Sequence, residues 1–209
     1  APSGKRQKKA PALPTPKGKV EGIKPGPAVR PSEVTTAITI KGAQLAWAIL
    51  RGFKRVENRA FTMRAGWYAV HTGKAESVIE SQRSLLEGVA SLPSEETLPH
   101  SVIVGAIEIS HALRMPQCQH EPWASGEIVN VIVRYCNMST PVAHSGALST
   151  WLIADEAIAQ VQAQLSTSMV CENDISHLPR HISIGGEGEG EGEGDSGSMD
   201  VAGFDFCAP

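Results

Sequence analysis

The chain has 209 residues, 41% of them hydrophobic, with 20 Gly and 14 Pro, which accommodates one ordinary domain of roughly 100 to 200 residues and leaves a remainder. The formal net charge of −3 conceals opposite ends: residues 1–30 hold eight Lys or Arg against Glu21 alone, and residues 172–209 hold nine acids against Arg180 alone. No apolar run reaches the roughly 18 to 20 residues of a membrane span, and no signal-peptide hydrophobic region follows the basic start, so a membrane-spanning helix is excluded and a soluble, intracellular chain, cytoplasmic or nuclear, is expected.

Residues 1–34 are rich in Lys, Pro, Gly and Ala with almost no large apolar side chain, and are expected to form a disordered basic tail. The cluster Lys5-Arg6-Gln7-Lys8-Lys9 has the composition of a nuclear import signal or a phosphate-seeking arm, and equally that of a plain solvated tail. The expected folded domain runs from 35 to 166. Thr36 to Lys41 alternates, placing Ile38 and Ile40 on one face of a strand. From Ala43 to Arg51, Leu45, Ala48 and Ile49 form one helical stripe, and Gly52 stands where a left-handed cap would end it.

Phe53 to Arg59 and Gly66 to Thr72 are expected to be extended, the second around Trp67, Tyr68 and Val70. Val78, Gln82, Leu85, Leu86 and Val89 then take helical spacing, predicting a helix from about Ala75 to Ala90, with a Pro-bearing loop through His100. Val102–Ser110, Glu127–Tyr135 and Leu148–Ile153 read as strands, followed by a helix with Ile158, Val161 and Leu165 on one side. Short strands outnumber helices without a regular βαβ alternation, so the expected class is α+β, a small mixed β-barrel flanked by about three helices. Residues 167–209, containing the Gly/Glu run at 185–194, are expected to be a disordered acidic tail, with Phe204 and Phe206 either docking or fraying.

Lys41, Arg51, Lys54, Arg55, Arg59 and Arg64 are six of the ten cations of the central region, and Glu57 is the only acid among them. Clustered cations attract polyanions by counterion release, and Trp47, Phe53, Phe61 and Trp67 are candidate stacking faces or, alternatively, core. Glu57 and Arg59 share a face of a regular strand, where they can read a base edge and phosphate or simply pair with each other or Lys54. Lys54 joins that face only if residues 52–55 form a turn. His71 and Thr72 end a strand, and Glu108 lies on an apolar one. His111, Cys118 and His120 offer only one paired spacing, so no metal is expected, nor any cofactor. Cys118, Cys136, Cys171 and Cys207 are expected as free thiols.

The run Gly52-Phe53-Lys54-Arg55-Val56-Glu57-Asn58-Arg59 resembles the ASCH family signature G-x-K-x-x-E-x-R. The similarity reaches back through Leu50 and Ala46 to Ile38-Thr39-Ile40, and forward through Gly66 to His71, Val104 to Ile109, Pro141 and Leu148 to Leu152. Ala43, Gln44 and Leu45 stand where family members often carry Gln-Pro-Trp. The resemblance implies a PUA-like barrel with a cleft between the first helix and the sheet, and binding of nucleic acid, RNA foremost. Together with the cation cluster it points to Lys54, Arg55, Glu57, Arg59, Arg64 and Lys41 for nucleic-acid contact, with Gly52, Phe53, Trp67, His71, Thr72 and Glu108 expected to line the cleft. One bacterial branch removes acyl groups from modified cytidine with a Lys, a Thr three positions later and a distant acid. Here those first two places hold Lys54 and Glu57. The alternative is therefore a small hydrolase, an amidohydrolase on N4-acetylcytidine or a ribonuclease, with Lys54 and Glu57 as catalytic pair. Expected partners are RNA or another nucleic acid, or a modified nucleoside, without a membrane, and proteins recruited by the charged tails.

Overall fold

A computed structural model describes residues 30–74 and 78–180. In chain order the elements are β1 (Thr36–Ile40), α1 (Ala43–Ile49), β2 (Val56–Arg59), β3 (Gly66–Thr72), α2 (Glu80–Glu87), β4 (Val102–Arg114), β5 (Ile128–Ala143), β6 (Thr150–Leu152), α3 (Asp155–Thr167) and β7 (Val170–Glu172). The strands form one sheet in the order β2-β5-β4-β3-β1-β6, with β7 also on β5. β5 is long enough to take both short partners, β2 along Ile128–Val131 and β7 along Arg134–Cys136. Among the described strands only β1 and β3 pair in parallel. The sheet curls into a half-barrel, and the register shifts along β4, at Ile103/Gly105, Glu108/Ile109 and Ile109/His111, supply the extra twist that bulges impose.

The centre of the curled sheet is buried on both faces, which explains why β1 is not the half-exposed strand its alternation predicts. Ile38 and Ile40 face a core shared with Ile49, Val56, Val70, Ile107 and Val131, on the side covered by α1. Ala37, fully buried, faces the opposite core with Trp67, Ala69, Ala106 and Met138, and there α3 lays down Ala157, Val161 and Leu165. That i, i+4, i+8 stripe is what makes α3 an amphipathic cover. α1 has only Gly42 at its N-cap. Its orphan amides are met from a distance, Ala43 N and Gln44 N donating to the two Glu95 carboxylate oxygens at 2.9 and 3.0 Å.

Several boundaries differ from the expected ones. β4 and β5 run past Ser110 and Tyr135 because bulges let polar stretches such as His111–Arg114 stay in the ladder. The helix expected over 75–90 is shorter, 80–87, with Val78 and Ile79 non-helical and residues 75–77 outside the described set. The domain does not stop at 166. β7 pairs with β5, Leu178 is 5% exposed in the α1-side core, and Glu121 accepts from His177 Nε2 at 2.8 Å, so residues 167–180 belong to the fold. At the other end Val34 is buried behind a 3-10 turn at Pro31–Glu33. The Lys5–Lys9 cluster, the Gly/Glu run, Phe204, Phe206 and Cys207 lie outside the described residues, and the charged tails are described only at their inner ends. Cys118, Cys136 and Cys171 are free. No described helix is long and apolar enough to cross a membrane.

Candidate functional site

The site begins at the end of α1. Gly52 N donates to Ile49 O at 3.1 Å and Phe53 N to Ala48 O at 3.0 Å, the paired bonds of a Schellman motif, and Gly52 takes φ +74. A Cβ there would lie 2.9 Å from the Tyr135 hydroxyl and 3.1 Å from Asn173 Oδ1, so glycine is required twice over, by backbone and by space. Lys54 N adds a third bond to Ala48 O at 3.1 Å. The turn drives Lys54 inward, where it is 2% exposed, before β2 starts at Val56.

There the Lys54 ammonium donates to Val56 O at 2.5 Å and to Glu57 Oε2 at 2.7 Å, two of its three protons. Arg59, two residues further along β2, sets Nε 2.9 Å from Glu57 Oε1, in ion-pair contact without hydrogen-bond alignment. Its Nη2 donates across to Thr39 O of β1 at 2.9 Å. β2 and β1 are not hydrogen-bonded neighbours in the sheet, so this guanidinium bridges the open seam of the half-barrel.

The seam holds a hollow of about 220 Å³. β1 contributes Thr39 and Ile40 and the residue after it Lys41, β2 contributes Glu57, Asn58 and Arg59, and Lys54, Leu45 and Gln82 complete the wall. Three cations face one carboxylate, so the hollow carries a net positive charge that suits an anionic or electron-rich polar ligand. It is smaller than the roughly 300–1,000 Å³ of a drug-sized site, which limits it to a group of about the size of one ring and its substituents. The carboxylate is clamped by two cations, an arrangement that orients it as an acceptor.

Of the expected contact residues, Lys54, Glu57, Arg59 and Lys41 come together here. Arg55 does not: its Nη1 donates to Asp174 O at 2.9 Å and its Nε to Gly52 O, tying the turn to the segment after β7. Arg64 is exposed and outside the lining. The expected cleft residues scatter for identifiable reasons. Gly52 shapes the turn, and Phe53 points outward, 43% exposed. Trp67 is 6% exposed in the core under α3. Glu108 pairs across the ladder with its register partner Arg134, through Nε to Oε2 and through Nη2 to Oε1 at 2.9 Å. Arg134 in turn lies 5.6 Å from the Trp67 ring centroid, so Trp67, Glu108 and Arg134 form a row across three strands, apart from the hollow.

His71 is 2% exposed, its Nε2 2.9 Å from His144 O and its ring edge-on to Trp151. Burial pushes its pKa down, opposed by that carbonyl contact. Thr72 donates to Val102 O and lines a separate hollow of about 210 Å³ beside Trp47. Among the described residues no group of three or more His, Cys, Asp or Glu is placed to hold a metal ion. Cys118 is buried with its thiol on Arg114 O and Met115 O, and His111 Nε2 lies 3.0 Å from Pro179 O.

Sequence reasoning missed Thr39, Asn58 and Gln82. Asn58 had a signal in its place between Glu57 and Arg59, but the other two reach the wall only through the tertiary fold. Compared with known proteins, the chain matches no family model and no curated relative.

Proposed function

We propose that the chain is a nucleic-acid-binding module of the ASCH type with a PUA-like half-barrel, RNA being its foremost ligand, and that the hollow at the β1–β2 seam takes one unpaired base. The convergence of Lys54, Glu57 and Arg59 on that hollow carries the reading. Glu57, fixed between two cations, presents its remaining lone pairs to an exocyclic amine or ring N–H of the base. Lys54 and Arg59 offer donors to ring carbonyls, and Lys41 at the exposed rim meets phosphate. The size of the hollow favours a base flipped from a single strand over a base within a duplex.

Binding of single-stranded RNA followed across salt concentrations tests it. Wild-type protein is expected to bind at low salt with affinity falling as salt rises, and Lys54→Ala combined with Arg59→Ala to abolish most of that affinity. Undetectable binding, or affinity unchanged in the double variant, sinks the reading.

A hydrolytic reading has one observation in its favour: a buried ammonium and a carboxylate share a hollow of nucleobase size. Against it, no hydroxyl nucleophile stands at the Glu57 position, so activating water would fall to a carboxylate whose two oxygens already contact Lys54 and Arg59. Incubation with N4-acetylcytidine and with labelled RNA separates the two, since a hydrolase must give product that disappears in Lys54→Met.

A further inference from the structure

Phe53 and Lys54 are adjacent in sequence, about 3.8 Å apart at Cα, yet the turn sends Lys54 into the hollow and Phe53 to the surface, 43% exposed. The outward ring is not loose. It stacks on Trp47 of α1, with centroids 5.8 Å apart and planes 13° from parallel, and its backbone amide is tied to Ala48 O. Arg51, itself exposed, sets its guanidinium 5.8 Å from the Trp47 ring centroid. Arg55 is pinned beside the same turn by Asp174 O. The result is a pre-oriented aromatic pair, Phe53 on Trp47, with Arg51 over the Trp47 ring and Arg55 held on the same turn.

Resting on the cleft reading above, we infer that Phe53, backed by Trp47 and edged by Arg51 and Arg55, is a stacking subsite for a second base of the same single strand. A fixed aromatic face stacks any base, and neighbouring guanidiniums favour the backbone phosphates between one base and the next. The charge selects a nucleic acid over an apolar peptide. With the two subsites starting on consecutive residues, one base seats in the hollow and a neighbour lies on Phe53 at the end of α1. Such a device predicts weak preference at the second position, because stacking reads no hydrogen-bond pattern.

The test compares a labelled single-stranded uridine homopolymer with uridine monophosphate, at fixed low salt, on the full chain and three variants. Phe53→Leu keeps apolar volume and removes the π face. It is expected to weaken homopolymer binding by roughly 5- to 100-fold and to leave the mononucleotide unchanged, while Phe53→Trp retains both. Arg59→Ala is expected to weaken both ligands. Homopolymer affinity unaltered in Phe53→Leu overturns the stacking subsite, and the hollow stands if Arg59→Ala still weakens binding. Affinity that falls in Phe53→Leu but not in Arg59→Ala overturns the hollow and leaves the stacking subsite.

Discussion

Two carboxylate clusters sit on the same sheet and differ in what they leave unsatisfied. Glu108 and Arg134 face each other in register on β4 and β5, meet through two parallel contacts and remain half open to solvent, Arg134 with 37% of its side chain exposed. Glu57 sits between Lys54 and Arg59 with side chains 2%, 9% and 18% exposed for Lys54, Glu57 and Arg59. It holds one of its two cations without hydrogen-bond alignment, beside an open hollow. The first cluster completes itself and supports the ladder. The second is desolvated, over-supplied with donors and borders the hollow, the contrast on which the proposed binding rests.

The largest expected difference is in stability. Glu57→Ala strands the buried Lys54 charge and should lower unfolding free energy by about 3–5 kcal/mol, measured by denaturant unfolding. If it costs no more than Glu108→Ala, the contrast between the clusters is wrong. Gly52→Ala comes next, because a side chain at φ +74 also meets the Tyr135 hydroxyl. About 1–3 kcal/mol is expected, with RNA affinity falling too, since the turn aims Lys54.

Lys41→Ala should leave folding intact and reduce the slope of log affinity against log salt by about 0.7, as expected for one single-strand phosphate contact. An unchanged slope removes Lys41 from the rim. Glu108→Ala is expected to cost only about 0.2–1 kcal/mol and to leave RNA affinity untouched, and a binding loss there would move the site to the other cluster. The smallest effect concerns His71, buried away from both clusters. Its pKa is lowered in the folded state, so the unfolded chain binds more protons below its ordinary value near 6.5. Stability should fall as pH drops through that value toward the folded pKa, and a pH series of melts should lose this component in His71→Gln.

The legible part of the site was its local part. Gly52 after an apolar stripe announces a left-handed cap, and the spacing of Lys54, Glu57 and Arg59 marks the cluster, because one turn and one strand set all their relative positions. What stayed hidden depends on distant partners. Glu108 looks like a candidate acid until Arg134 arrives opposite it in a register no local pattern encodes. Thr39 and Gln82 are ordinary polar residues until α2 and β1 both border the hollow. β7 is three residues beside a Gly- and Glu-rich tail, and only the free upper edge of β5 makes it a strand. The extensions of β4 and β5 were obscured because bulges interrupt period-two alternation.

Across its mouth the sheet is laced by a side chain where a closed barrel would have a ladder: Arg59 holds the carbonyl of Thr39. A charge-assisted bond of that kind is worth about 1.5–3 kcal/mol, and on the proposed reading the guanidinium trades it for a phosphate or carbonyl of an incoming molecule without unzipping any strand. On the proposed binding reading, a ligand that takes this bond loosens the tie between β1 and β2, and the amides flanking Thr39 are then expected to exchange hydrogen faster in the bound protein.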